Sequence, residues 1–492
     1  MHGVRITEGP SDWEILQQKD GFAEIEIKGT YKVHQAALDV GVVCAYPILR
    51  VMREDDNMAV IPWTKAEEIQ EEDGFQGTFK TTLKIPAGGM YRIDTSLETR
   101  SKPDSTAQGF SWLYRGDCIL HIGVGNLFII AGQSNSAGYS RDFCMDPPHM
   151  SVHLYRNRSR WDLASHPMNE STEAGSLPNE EMGIPGVSPY LSFGKRYAEI
   201  TGMPVGFVQT SLGGSAMKQW KSGSGELYQN MIEKIHQTRG AYAGVLWYQG
   251  CSDTNSENPD DPKDFSPAVH YLEHFKELVD AVRKEVGYEI PFFTMQLNRQ
   301  INGINDEAWG MVREAQKKAA EVISNVYVLS TTNLSLSDGI HNSAGSNVAL
   351  GEKLAKQCAF VLNQQPEYQA PVLTETGLLT EQKKEQLHLQ GIWLELRFAH
   401  VQNCLMIFSS KGEDSGFLLE DAKGIVKIKN IRANREDKNR AYLELERMPE
   451  GKALLSFAWE ADPVKLPMLD EVTFLPPLSF YKNEISYEES CD

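Results

Sequence analysis

The run Leu127-Phe128-Ile129-Ile130-Ala131-Gly132-Gln133-Ser134-Asn135-Ser136-Ala137-Gly138 carries an apolar strand straight into a small polar turn with one serine, Ser134, at its apex. A strand-to-turn-to-helix junction lifts a hydroxyl above the C-terminal edge of a parallel sheet, where free N–H groups at a helix start can stabilise developing negative charge. Nucleophilic acyl transfer is the chemistry this permits. The G-x-S-x-G elbow is not matched, because Ser136 stands where its second glycine would be. A helix-capping serine would explain the same residues, so the partners that a nucleophile needs must decide.

Three later segments offer them. Val205 to Gln209 is an apolar run leading to Gly213-Gly214, where the backbone can approach a ligand and turn an N–H outward; an ordinary tight turn reads equally well. A third apolar strand, Ala243 to Tyr248, delivers Gln249, whose NH₂ can complete an oxyanion hole. After Val326 to Ser330 comes Ser337-Asp338-Gly339-Ile340-His341, a spacing that lets Asp338 orient the His341 imidazole so that it can take the proton of Ser134.

Together these segments resemble, in order, the signature blocks of the SGNH hydrolases, and in particular the sialate O-acetylesterases and related acetyl-xylan esterases. The matching residues are Gly132-Gln133-Ser134-Asn135, Gly213-Gly214-Ser215 followed by Trp220, Trp247-Tyr248-Gln249-Gly250, and Asp338 with His341. More weakly, Val124-Gly125-Asn126-Leu127-Phe128, Phe457-Ala458-Trp459 and the tail Leu475 to Phe480 are similar to flanking parts of that family. The resemblance implies a serine carbohydrate esterase that removes O-acetyl groups from acetylated sugars, of sialic acid or hemicellulose type, through an acyl-enzyme on Ser134. It implies Ser134, Asp338 and His341 as the catalytic set, Ser134 N–H, Gly213 N–H and the Gln249 side chain as the oxyanion hole, and no metal or cofactor.

Trp161, Gln133 and Tyr248 are the candidate substrate-binding residues, with Trp220 as a further aromatic and the His166-Pro167 loop beside the site; Arg299 is a candidate local cation for an anionic sugar. Cys251 departs from the pattern, since the family commonly has glutamate there. No Cys-His motif surrounds it, and a lone cysteine at a strand end reads as a small buried hydrophobe.

Composition bounds the function. A formal charge of −19 disfavours nucleic acid, whose phosphates would be repelled. No run is long and apolar enough to span a membrane, and the N-terminus lacks the pattern of a secretory signal. Seven scattered cysteines, Cys44, Cys118, Cys144, Cys251, Cys358, Cys404 and Cys491, form no C-x-x-C pair and fit a reduced compartment. A cytoplasmic enzyme, open to homo-oligomer formation, is the expectation. His149 with His153 and His270 with His274 have a helical metal-ligand spacing, the second pair within an H-x-x-E-H run, but a solvated helix face explains the latter without zinc. Asp253, Asp260, Asp261 and Asp264 lack the ordered spacing of a calcium loop.

The 492 residues exceed what one core usually serves. Period-two patterning predicts an N-terminal β-sandwich of short strands over 1–122. Residues 123–366 alternate strands with helices, at Pro189 to Ile200, Pro267 to Val286, Asp306 to Ile323 and Ala344 to Leu362, which predicts an α/β domain on a central parallel sheet. The resemblance makes it a three-layer α/β/α catalytic domain. Strands at Ile392 to Phe398, Cys404 to Phe408, Gly424 to Ile428, Ala441 to Leu445 and Ala453 to Trp459 predict a β-rich region over 367–492. A lipid or thioester hydrolase on the same fold would need an apolar lid that the sequence does not show. A non-catalytic sugar-binding protein is suggested by the β-rich flanks and Cys251, and opposed by the retained Ser134, Asp338 and His341.

Overall fold

The computed structural model describes residues 2–104, 114–170, 178–258, 260–433, 436–463 and 468–487; Cys491 lies outside the described residues. It is a mixed α/β fold with several sheets. Its axis is the strand Arg115–Gly132. The first part of that strand pairs antiparallel with Gly89–Ser101. Its last residues lie parallel between Val205–Gln209 and Gly244–Tyr248. The expected division at 122/123 therefore falls inside one continuous strand.

Outward from this centre the parallel strands run Val152–Tyr155, Val205–Gln209, Arg115–Gly132, Gly244–Tyr248, Phe292–Met295 and Val326–Leu329, with the short antiparallel Trp161–Leu163 at the edge. Every residue of Val205–Gln209 and of Gly244–Tyr248 is buried, the mark of a parallel sheet covered on both faces. Alternation along the central strand divides its side chains between two cores. Leu127, Ile129 and Ala131 pack with the helices Glu226–Gln237, Tyr271–Val286 and Asp306–Val322. Phe128 and Ile130 pack with Tyr190–Thr201 and Ala344–Asn363.

Helical spacing dictates which faces turn inward. In Tyr271–Val286 the buried Tyr271, Phe275, Leu278, Val279 and Val282 form one stripe, and Gly287 ends the helix at φ 82°. The single helix expected over 267–286 is interrupted at His270, which separates Ser266–Val269 from Tyr271–Val286. The helix Glu226–Gln237 and the edge strands Val152–Tyr155 and Trp161–Leu163 were not foreseen from the sequence.

In the N-terminal region two sheets share one apolar core. Its strands are longer than expected, reaching 12 residues in Val42–Arg53 and 13 in Gly89–Ser101. Three small sheets enclose the core of the C-terminal region. The strand expected over 424–428 is resolved into Gly424–Ile425 and Ile428–Ala433, which belong to different sheets. No described helix is long and apolar enough to cross a membrane.

The fully buried Phe128 ring lies 5.1 Å from Phe193, 5.5 Å from Tyr197 and 6.4 Å from Phe207, measured between centroids. Phe128→Ala is expected to cost about 3–5 kcal/mol, because removing a large core ring leaves a cavity as well as losing transfer energy. A loss under about 1 kcal/mol in denaturant titration would show that this core can collapse around the gap.

Candidate active site

The loops that follow the central parallel strands meet at their C-terminal edge, where the chain passes from one side of Arg115–Gly132 to the other. Crevices at such switch points are where open α/β sheets bind ligands. Ser134 begins a one-turn helix, Ser134–Ala137, that ends at Gly138 with φ 96°. Ser136 explains why a second elbow glycine is unnecessary here. It is fully buried, donates to the Ala131 carbonyl at 3.0 Å and shares a 2.6 Å bond with the Tyr190 hydroxyl, so it closes the turn from inside.

His341 and Asp338 are joined as expected, with Nδ1 of His341 at 2.7 Å from Oδ2 of Asp338. The other carboxylate oxygen accepts from the N–H groups of Ile340 at 2.9 Å and His341 at 2.7 Å. Partial burial pushes the Asp338 carboxyl up, but the His341 ring and these two N–H groups outweigh it and hold it below its ordinary range. Nε2 of His341 is thereby left to face a reacting hydroxyl, since Nδ1 is committed to the carboxylate.

Asn135 brings this pair to the serine. Its Nδ2 donates to the Ile340 carbonyl at 3.3 Å and its Oδ1 accepts from the Asn342 N–H at 2.9 Å, so the residue after Ser134 grips both sides of His341. Asn298 braces the same loop from the neighbouring strand end, donating to Ile340 at 2.9 Å and to Asn342 at 2.7 Å. Among the described residues Ser134 makes no side-chain hydrogen bond, so the serine–histidine contact is open in this resting state; such contacts commonly tighten only when substrate is bound.

The expected oxyanion donors meet different fates. The Gly213 N–H lies beside the site but donates to the Glu181 carboxylate, at 2.9 Å and 3.2 Å to its two oxygens. The Gln249 amide nitrogen donates to the Ser215 carbonyl at 3.0 Å and to Asp253. Asp253, four residues on, is buried and supplies a charged acceptor within the same loop.

The family of carbohydrate esterases described as sialic acid-specific acetylesterases matches residues 124–360. Residues 124–360 resemble this family. The probable carbohydrate esterase At4g34215 of Arabidopsis thaliana is 27% identical over 252 residues, which cover 47% of this chain and 88% of the relative. The structure of XAC1771, a novel carbohydrate acetylesterase from Xanthomonas citri, has a TM-score of 0.60 at 17% identity over 96% of this chain and 98% of its own. That likeness of fold takes in the flanking sheets as well as residues 124–360.

The residues expected to meet the sugar are largely buried. Tyr248 is 1% exposed and packs in the core, and Gln133, 3% exposed, uses Oε1 to accept from the Gly250 N–H at 2.9 Å. Trp220 is likewise buried, 5.1 Å from Trp247. Trp161 packs on Tyr155 at 5.4 Å and lines a cavity of about 530 Å³ with Trp13, Glu14, Arg160 and Arg239, which includes none of the catalytic candidates. Arg299 faces Asp462 at 3.4 Å; the cation beside the site is Arg141, 3.8 Å from Asp338, which sequence reasoning missed.

His153 is buried with both ring nitrogens on backbone carbonyls, of Trp13 and Met150, so it has no free nitrogen to pair with His149. His270 and His274 are 6.0 Å apart between ring centroids, and no group of three or more metal-ligating side chains converges among the described residues. Cys251 is 5% exposed in the core, and burial pushes its thiol up to about 12.

Two measurements follow from this geometry. Iodoacetamide on the native chain should leave esterase activity intact, since a buried thiol of raised pKa is a poor nucleophile; inactivation that Cys251→Ser prevents would place the thiol in the site. Burial also raises the Asp253 carboxyl to about 6 against its ordinary 3.8. The folded state then binds this proton more tightly than the unfolded one, so Asp253 makes the protein relatively more stable as pH falls from about 6 toward 4. Asp253→Asn should remove that increment, and an unchanged difference between pH 7 and pH 5 in chemical denaturation would contradict the shift.

Proposed function

We propose that this chain removes O-acetyl groups from an acetylated mono- or oligosaccharide through an acyl-enzyme on Ser134. The double grip of Asn135 on the backbone around His341 carries the reading, because it ties the serine turn to a histidine already oriented by Asp338. His341 takes the hydroxyl proton as Ser134 Oγ attacks the acetyl carbonyl carbon. The tetrahedral oxyanion rests on the N–H groups of Ser134 and Gly213. Its collapse expels the sugar oxygen, which His341 protonates; water, deprotonated by His341, then attacks the acyl-enzyme and releases acetate.

The catalytic part is a three-layer α/β/α domain over 123–366, between a β-sandwich at 1–122 and a β-rich region at 367–492. Six free cysteines among the described residues suit a reducing, cytoplasmic compartment. Arg141 is drawn toward Asp338 and Glu181 adds a further carboxylate, a charge balance that favours a neutral hemicellulose oligosaccharide over an anionic sialate.

Acetate release from acetylated xylan and mannan oligosaccharides and from O-acetyl sialic acid tests both parts. Ser134→Ala should abolish release with the fold intact, and Asp338→Asn should lower turnover by roughly 10⁴, as loss of a triad carboxylate does elsewhere. Activity retained in Ser134→Ala would refute the mechanism, and faster release from sialate than from xylan would refute the neutral substrate.

A further inference from the structure

We infer that the Glu181 carboxylate occupies the oxyanion position of the resting site, and that an acetyl ester must displace it to be hydrolysed. The inference rests on the reading of Ser134 and Gly213 given above. Among the described residues three donors converge on this one side chain. The Gly213 N–H reaches both oxygens, the Tyr139 hydroxyl donates to Oε2 at 2.7 Å, and Asn169 Nδ2 donates to Oε1 at 2.6 Å. Approach to Gly213 is so close that a Cβ there would lie 2.8 Å from Oε2. The cluster adjoins the catalytic pair: the Tyr139 ring is 5.5 Å from that of His341, and the Tyr139 N–H donates to the Ser134 carbonyl at 3.1 Å.

A carboxylate oxygen and a tetrahedral oxyanion are both anionic acceptors, so they compete for the same N–H. Two of the donors, Asn169 and Gly213, are held by contacts that do not involve Glu181. Asn157 donates to Oδ1 of Asn169 at 2.7 Å, and Asn157 is in turn held by Nζ of Lys234 at 2.9 Å. Lys234, 1% exposed, also donates to the Gln209 carbonyl at 2.6 Å, at the end of the strand that leads to Gly213. When Glu181 swings out, Gly213 and Asn169 therefore remain aimed at the vacated place. Asn169 then supplies the side-chain amide that Gln249, engaged with Ser215 and Asp253, does not.

The test compares Glu181→Ala and Glu181→Gln with the full wild-type chain, using 4-nitrophenyl acetate as ester and sodium acetate as anion. Removing a charge-assisted competitor should raise kcat/KM about tenfold in Glu181→Ala and less in Glu181→Gln. Sodium acetate, but not sodium chloride, should raise the melting temperature of Glu181→Ala and leave wild type unmoved, because only the variant has the place free. Should Glu181→Ala fail to fold, Glu181→Gln carries the kcat/KM comparison, and a fall there overturns the inference. A fall in kcat/KM, or no change together with no acetate effect, overturns the inference. Acetate stabilisation of the variant alongside absent hydrolysis by every form supports the occupancy while refuting the esterase reading.

Discussion

The site depends on one backbone contact, between Gly132 at the end of the central strand and Tyr248 at the end of its parallel neighbour. Gly132 has φ 130°, and a Cβ on it would lie 2.3 Å from the Tyr248 carbonyl oxygen, so only glycine permits the strands to run paired to their last residues. Because they do, the turns beyond them start side by side. The Gln133 N–H donates to the Tyr248 carbonyl at 2.9 Å, and the Gln133 side chain accepts from Gly250. The nucleophile turn is thus a continuation of sheet pairing, with little freedom left to lose when substrate arrives.

A second constraint reaches the histidine from the far side. Arg313 is fully buried, and burial pulls its guanidinium down to about 9. Its donors are spread over the carbonyls of Leu297, Asn298, Ala458 and Glu460. Burying a cation among neutral dipoles is costly unless each donor is satisfied, and satisfying them draws the 458–460 segment of the C-terminal region against Asn298, which braces the His341 loop. The flanking β region consequently belongs to the architecture of the site although it contributes no candidate catalytic side chain. Cys251 sits near Arg313, whose donors are satisfied by carbonyl dipoles.

What could be read from the sequence were features that local chemistry imposes. The serine turn, the Asp338–His341 spacing and the longer helices such as Asp306–Val322 are written in adjacent residues, and the structure places them as read. Edge strands were not legible: Val152–Tyr155 is short and Trp161–Leu163 shorter, and neither carries a pattern that a turn would not. Glu181 was invisible for a different reason. Its importance lies in three donors from separate segments, Tyr139, Asn169 and Gly213, and no spacing along the chain announces their convergence.

The burial of the aromatic residues beside the site follows from one physical fact. At the C-terminal edge of a sheet covered on both faces, an aromatic residue in the strand itself, such as Trp247 or Tyr248, must join a core and is spent on packing. Beyond the strand ends the residues are small or polar, Ser134, Asn135 and Gly213 among them, and buried, mutually bonded asparagines, Asn135, Asn298 and Asn342, hold the serine turn to the His341 loop.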